Sequence, residues 1–299
     1  MNSKIFLLAL LVSSITHAQN YIDLANLSYS TTSNADFENS KQQTSVNELE
    51  FQITFPKVLD DKNTLISSLI LESNNLRLDP TFNDKTTLAS LSIALGVNHK
   101  YSDRLAITYL IIPKIASDFD FITTDAFQLG GLALATLKKN ENFSWKFGMY
   151  ANSEKFGLFL VPYAGFYYTS TNERFEAYIT TINGDLNYMI TDKINIGGDV
   201  NGLTSSYALA DPYFGTNKEY FAKNTTEFFA YVRYPLYKGL FLKAKAGYSI
   251  TRTYKVFEEN DKVNLGLSLF YLGDDRTQLN TPLAKGALFK LELLYRFQL

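Results

Sequence analysis

Histidine is the side chain best suited to acid–base work near neutral pH, and the chain has two, His17 and His99. His17 falls in a leader segment. His99 lies in Asn98-His-Lys-Tyr-Ser-Asp103, beside a short polar turn, and reads as a solvated turn residue. Asp118-Phe-Asp120 and Asp274-Asp275 offer oxygen ligands for a hard cation, but not at the spacing of a dedicated calcium loop. They read as solvated loop acids. Cysteine is absent, which excludes disulfides, thiolate nucleophiles and Cys-ligated metals. No catalytic residue, metal or cofactor is assigned, and the chain is not expected to be an enzyme.

What remains is a set of polar residues set at alternate positions among apolar ones. These are Glu48, Glu50 and Gln52; Lys146; Asp199; Glu227 and Arg233; Lys243 and Lys245; and Lys290, Glu292 and Arg296. A Lys or Arg facing the lipid midplane costs about 2–4 kcal/mol. In a membrane-spanning sheet these side chains therefore face inward and line a lumen. There they have two possible roles: to line a water-filled pore and bias ion traffic, or to pair across a narrow lumen and close it.

The elements that position them are strands. In Leu49-Glu-Phe-Gln-Ile-Thr-Phe55 the odd positions are apolar and the even ones polar, the period of two of a sheet. Ala89–Val97, Phe143–Met149, Lys193–Val200, Leu240–Ile250 and Val263–Leu269 repeat the pattern. So does the final segment, with Phe289, Leu291, Leu293, Tyr295, Phe297 and Leu299 on one face and Leu294 as the exception on the other. Weaker strands are read at 20–30, 64–77, 104–115, 123–137, 158–169, 174–182, 184–190 and 225–235. Short polar turns alternate with longer connections at 31–45, 78–85, 203–224 and 253–261.

No stretch after the leader is apolar for long enough to be a membrane helix. Without one, only a closed barrel satisfies every backbone hydrogen bond in lipid. A mean hydropathy of −0.10 suits it, because lipid-facing and lumenal residues alternate. A secreted β-sandwich would alternate too. Strands longer than those of soluble sheets, a polar face rich in Gly, Ser, Ala and Asn, and aromatics at strand ends favour the barrel. The fold class is therefore all-β: a transmembrane antiparallel up-and-down β-barrel of about 14 strands, with 12 and 16 as alternatives. About fifteen segments are visible. An even number is needed to bring both ends to one side, so the reading of one stretch, between 158 and 190 or in 270–286, is wrong. On this layout His99 sits at the periplasmic rim, opposite the rim where barrel hydrolases keep their histidine.

Met1–Ala18 reads as a secretory signal peptide with a positive start, a short apolar run and small residues before the cut. The barrel then occupies 19–299, in the outer membrane. Its expected partners are membrane lipid, the outer-membrane assembly machinery through the C-terminal strand, and small solutes. A net charge of −2 without a clustered basic field gives no nucleic-acid partner. The barrel is expected to be a monomer.

From about residue 160 onward, Val161-Pro-Tyr-Ala-Gly-Phe-Tyr-Tyr168, Leu186-Asn-Tyr-Met-Ile-Thr-Asp-Lys193, Gly247-Tyr-Ser-Ile-Thr-Arg-Thr-Tyr-Lys255 and Gly273-Asp-Asp-Arg-Thr-Gln-Leu-Asn280 resemble a family of outer-membrane β-barrels from Bacteroidota that is known as a domain of unknown function. The resemblance implies the barrel and its location, and it brings no activity or site residues.

The functional expectation is a passive small-solute channel with a charged lumen. The alternative is an occluded structural or surface-binding barrel, blocked by ion pairs or by the loops 31–45 and 203–224. The latter carries Tyr207, Tyr213, Phe214, Tyr220 and Phe221, which suit a folded-in plug or a contact surface. A membrane-embedded hydrolase is the weakest reading.

Overall fold

A computed structural model describes residues 21–120, 124–268 and 270–298. The expected leader, its cleavage site and Leu299 lie outside the described residues. Fourteen strands form the wall: β1 Tyr21–Thr32, β2 Asn47–Val58, β3 Asn63–Leu76, β4 Thr86–Lys100, β5 Leu105–Ser117, β6 Phe127–Asn140 and β7 Phe143–Glu154, followed by β8 Gly157–Thr169, β9 Phe175–Thr180, β10 Asn183–Thr191, β11 Ile194–Ala208, β12 Glu219–Tyr237, β13 Leu240–Glu258 and β14 Ala287–Gln298. Each pairs antiparallel with the next, and β14 pairs with β1, so the sheet closes on itself. The short turns lie at the end carrying Tyr21 and Gln298, here the turn end. Most of the long connections lie at the other, the loop end.

The wall shows the alternation of the sequence. Leu27, Tyr29, Leu49, Phe55, Ile93, Tyr109, Phe147, Tyr188, Phe228 and Tyr248 are exposed on its outside, an apolar surface matched to hydrocarbon. Leu294 turns inward and is buried, so its break in the terminal pattern adds to the interior.

One strand reading is corrected. Val263–Ser268 is not part of a wall strand, and Leu269 lies outside the described residues. The segment belongs to a hairpin, Leu265–Leu267 with Phe270–Leu272, whose first arm pairs parallel to β8 through Phe159 and Leu160. Its alternation has a local cause: Val263 packs with Phe156 and Phe159, and a Cβ at Gly266 would stand 2.9 Å from the Phe159 ring. The weak segments 174–182 and 184–190 are true but short strands, β9 and β10.

The stretch 203–224 is mostly strand rather than loop. β11 leaves β10 after Asn201, and β13 leaves β14 after Tyr248, yet β12 stays paired with both. The departure coincides with a bulge, where Thr226 faces Thr251 but Glu227 faces Ser249, a device that bends a sheet. The three-stranded extension folds into the barrel. Ala208 of β11 bridges to Ser117 of β5, which stands on the opposite side of the barrel.

The extension crosses because it is apolar on both faces. Tyr207, Phe221, Tyr254 and Val256 pack against Phe37, Val46, Leu76 and Leu88. On the other face, Tyr220, Ala222 and Phe257 pack against Phe156, Phe159 and Val161. A wall strand has only one dry partner surface here, whereas a strand across the lumen has two. The wall it vacates is patched by the 265–272 hairpin beside β8 and by the segment 276–286 beside β13. In the latter, Leu279 N–H donates to Val256 O at 2.9 Å, and Asn280 Nδ2 donates to Tyr254 O and Leu78 O at 3.0 and 2.9 Å.

Candidate functional site

The polar interior begins at the turn end. Arg296 of β14 holds Asp23 of β1 with two nitrogens, at 2.7 and 3.1 Å, and lies over the Tyr21 ring. Glu176 of β9 stands 4.0 Å from Arg296 and 3.9 Å from Arg233 of β12. Tyr21, Glu176, Arg233 and Arg296 border a cavity of about 670 Å³ that also reaches the turn residues Asp192, Lys238 and Gly239.

The next layer is an ion-pair chain. Lys243 reaches Asp185 at 2.7 Å and Asp199 at 3.1 Å. Lys245 reaches the same Asp199 oxygen and Glu292, each at 2.7 Å. Tyr231 Oη donates to Asp185 at 2.6 Å and lies under the Lys243 ammonium. Gly197 makes this possible, since a Cβ there would sit 2.3 Å from the Tyr231 ring. Every charge in this layer has an opposite partner, the condition for keeping ions in a low-dielectric interior.

Above it a second cavity, about 380 Å³, is lined by Glu50, Glu72, Lys223, Glu227, Lys290 and Glu292 among others. Lys290 is 3.8 Å from Glu50. Lys223 bonds Glu48 at 2.7 Å and Asn74 at 2.8 Å, and Tyr254 Oη donates to Glu48 at 3.2 Å.

The crossing strands form the ceiling, and polar contacts fix their edge to the far wall. Lys114 of β5 donates to Ser205 Oγ at 2.6 Å, Gln128 of β6 to Ser206 O at 2.9 Å, and Asn74 of β3 to Tyr207 Oη at 3.0 Å. Glu154 of β7 accepts from Ser206 N–H at 2.7 Å, Ser206 Oγ at 2.6 Å and Asn152 at 2.6 Å. Just past the end of β5, Asp118 accepts from Ala210 N–H at 3.0 Å; partial burial raises its carboxyl above the ordinary range.

Of the residues singled out from sequence, Asp199, Lys243, Lys245 and Glu292 meet in the ion-pair chain. Glu48, Glu50, Glu227 and Lys290 border the inner cavity, and Arg233 and Arg296 the outer one. Gln52 shares the register of Glu48 and Glu50 on β2. Lys146 is brought to none of them. It sits on β7 and donates to Thr136 at 3.1 Å. In the register of Asn74, Lys114, Gln128 and Asn152, this side of the interior presents Ile70, Ile112, Leu132 and Tyr150. Apart from Lys146, the charges singled out from sequence are thus gathered on one side of the barrel rather than set in opposed rings.

Sequence reasoning missed Asp185, Glu176, Asp23, Glu72, Lys223 and Glu154. Asp185 and Glu176 alternate with apolar neighbours, but on strands too short for a strong pattern. Lys223 lay in a supposed loop. His99 donates one hydrogen bond, from Nδ1 to Asn63 Oδ1 at 2.7 Å, at the turn end. Asp274 pairs with Arg276 at 2.8 Å, whose hydrogen bond holds its carboxyl below the usual range.

Solved structures similar to the chain include an outer membrane channel from Pseudomonas putida F1, described as COG4313, at 10% identity and a TM-score of 0.46 over 93% of this chain and 95% of that one. A FadL homologue from Pseudomonas aeruginosa aligns at 11% identity and a TM-score of 0.45, covering 93% and 90%. The NanC porin aligns at 7% identity and a TM-score of 0.37, covering 91% and 98%. No curated protein matches the chain. A family model does match it across residues 14–266, from ahead of β1 into the hairpin that patches the wall, and the chain accordingly belongs to the family described as Domain of unknown function (DUF6268).

Proposed function

We propose that the protein is an outer-membrane barrel of channel architecture that is closed in its resting state: the turn end opens to the periplasm and admits small solutes, and the outer mouth is sealed. One observation carries this reading. Ser205, Ser206 and Tyr207 of β11 are bonded to β3, β5, β6 and β7, across the lumen. A permanently open diffusion pore would need that space to be water. The paired charges below the seal set which solutes can pass when it moves, because an ion entering between Lys243, Lys245, Asp185 and Asp199 must exchange partners with them.

The test is current through a planar bilayer into which folded protein has been inserted, with insertion checked by heat-modifiable migration. The wild-type barrel is expected to insert and remain silent. Sustained ohmic steps from correctly folded wild-type protein would show an open pore and defeat the closed-state reading.

A further inference from the structure

We propose that the turn end of the barrel holds an oxyanion-binding site centred on Arg233, which takes the carboxylate or phosphate group of a small soluble anion. Arg233 stands on β12 between Asn195 of β11 and Lys243 of β13 and is 8% exposed. A guanidinium carries five N–H donors in a fixed fork and never gives up its charge. Among the described residues this one makes no hydrogen bond. Its nearest acidic partner, Glu176 Oε2, is 3.9 Å from Nη2, beyond bonding range, and its Nε is buried without a partner. Its face is held by the Phe241 ring, 5.3 Å away.

The neighbouring Arg296 shows the contrast. It has two hydrogen bonds to Asp23 and a tyrosine ring beneath it, so one edge of its fork is already occupied by a carboxylate. The other charged groups bordering the cavity are Glu173, Glu176, Asp192 and Lys238. Glu176 stands back from both arginines at 3.9 and 4.0 Å, so it offsets charge without occupying the fork. Buried polar groups are almost always bonded. An arginine with unmet donors beside a cavity of about 670 Å³ matches an oxyanion, which accepts two parallel N–H bonds from that fork. The cavity reaches Lys238 and Gly239 in the turn, so the ligand enters from the turn end and does not have to pass the crossing strands. The site is independent of whether the barrel conducts.

Isothermal titration of the folded barrel with inorganic phosphate, and separately with acetate, at constant ionic strength tests it. Saturable binding of at least one is expected in the wild type. Arg233→Gln should weaken it by about tenfold or more, the scale of losing a hydrogen bond to a charged group. Arg233→Lys keeps the charge without the fork and should weaken it less, which also serves if the glutamine variant does not fold. Lys41→Gln, exposed at the loop end, should leave it unchanged. No saturable binding of either anion to the wild type, or undiminished binding in both Arg233 variants, would overturn the proposal.

Discussion

Replacing Glu154 with alanine is expected to turn a silent barrel into a flickering one. The carboxylate accepts Ser206 N–H, Ser206 Oγ and Asn152 Nδ2, all within 2.7 Å, and all three donors are buried. Hydrogen bonds to a charged acceptor contribute about 1.5–3 kcal/mol each, and a donor left unpaired in the interior costs a similar amount. Such terms are not additive, so a net loss of about 3 kcal/mol at the contact is a moderate expectation. That corresponds to roughly a hundredfold shift between docked and undocked edges. The two apolar cores still hold the crossing strands in place, so the fold should survive. The freed edge of β11 should produce brief current steps in a planar bilayer. A variant that folds, inserts and stays as silent as the wild type would show that this edge does not control the mouth.

The second large effect is on stability. Asp199 is the shared partner of Lys243 and Lys245, and its side chain and that of Lys245 are only 4% and 3% exposed. Asp199→Ala leaves two buried ammonium groups competing for Asp185 and Glu292. Removing one member of a buried ion pair costs about 3–5 kcal/mol, a large fraction of the stability of an ordinary folded chain. The exposed pair Lys100–Asp103 is the internal contrast. There the aspartate is 97% exposed, and Asp103→Ala should change stability by about 1 kcal/mol or less. Urea unfolding of both variants in the same lipid gives the comparison, and similar midpoints would mean that the inner network is hydrated and inessential.

How much of this was legible in the sequence follows from what each strand touches. Strands such as β2 and β14 separate an apolar outer surface from a polar interior, so one face is apolar and the other is not. Leu49–Phe55 and Phe289–Phe297 announce themselves for that reason. The outer half of β12 has no such asymmetry. Tyr220, Phe221 and Ala222 are consecutive, and all are buried, because the strand has dry neighbours on both sides. Period-two reasoning sees no pattern there and reads a loop. The visible signal was the aromatic content of 203–224, which suggested a plug without giving its path. Val263–Leu269 failed in the opposite way: its alternation was real, but it reports packing against Phe156 and Phe159 rather than a crossing of the membrane. The charged site was half legible. Lys243, Lys245 and Glu292 stand out on long strands, whereas their partner Asp185 lies on a nine-residue strand and Lys223 on the part of β12 that looked irregular. No single-strand pattern could show that Lys146 would find Thr136 as its partner instead of an acid, because that depends on which walls the barrel sets beside and opposite each other.

The central claim is that β11 crosses the lumen, and a cysteine pair tests it most directly. The chain has no cysteine, so Ser117→Cys with Ala208→Cys introduces the only two thiols. These positions are bridge partners on opposite sides of the barrel, and bridged backbones place Cα atoms within the ~4.4–6.8 Å that a disulfide spans. In folded, membrane-inserted protein the account predicts rapid, near-complete intramolecular crosslinking under mild oxidation. If β11 and β12 instead continue up the wall, β5 and β11 stay six strands apart. No intramolecular disulfide would then form, and the closed-mouth account would be wrong.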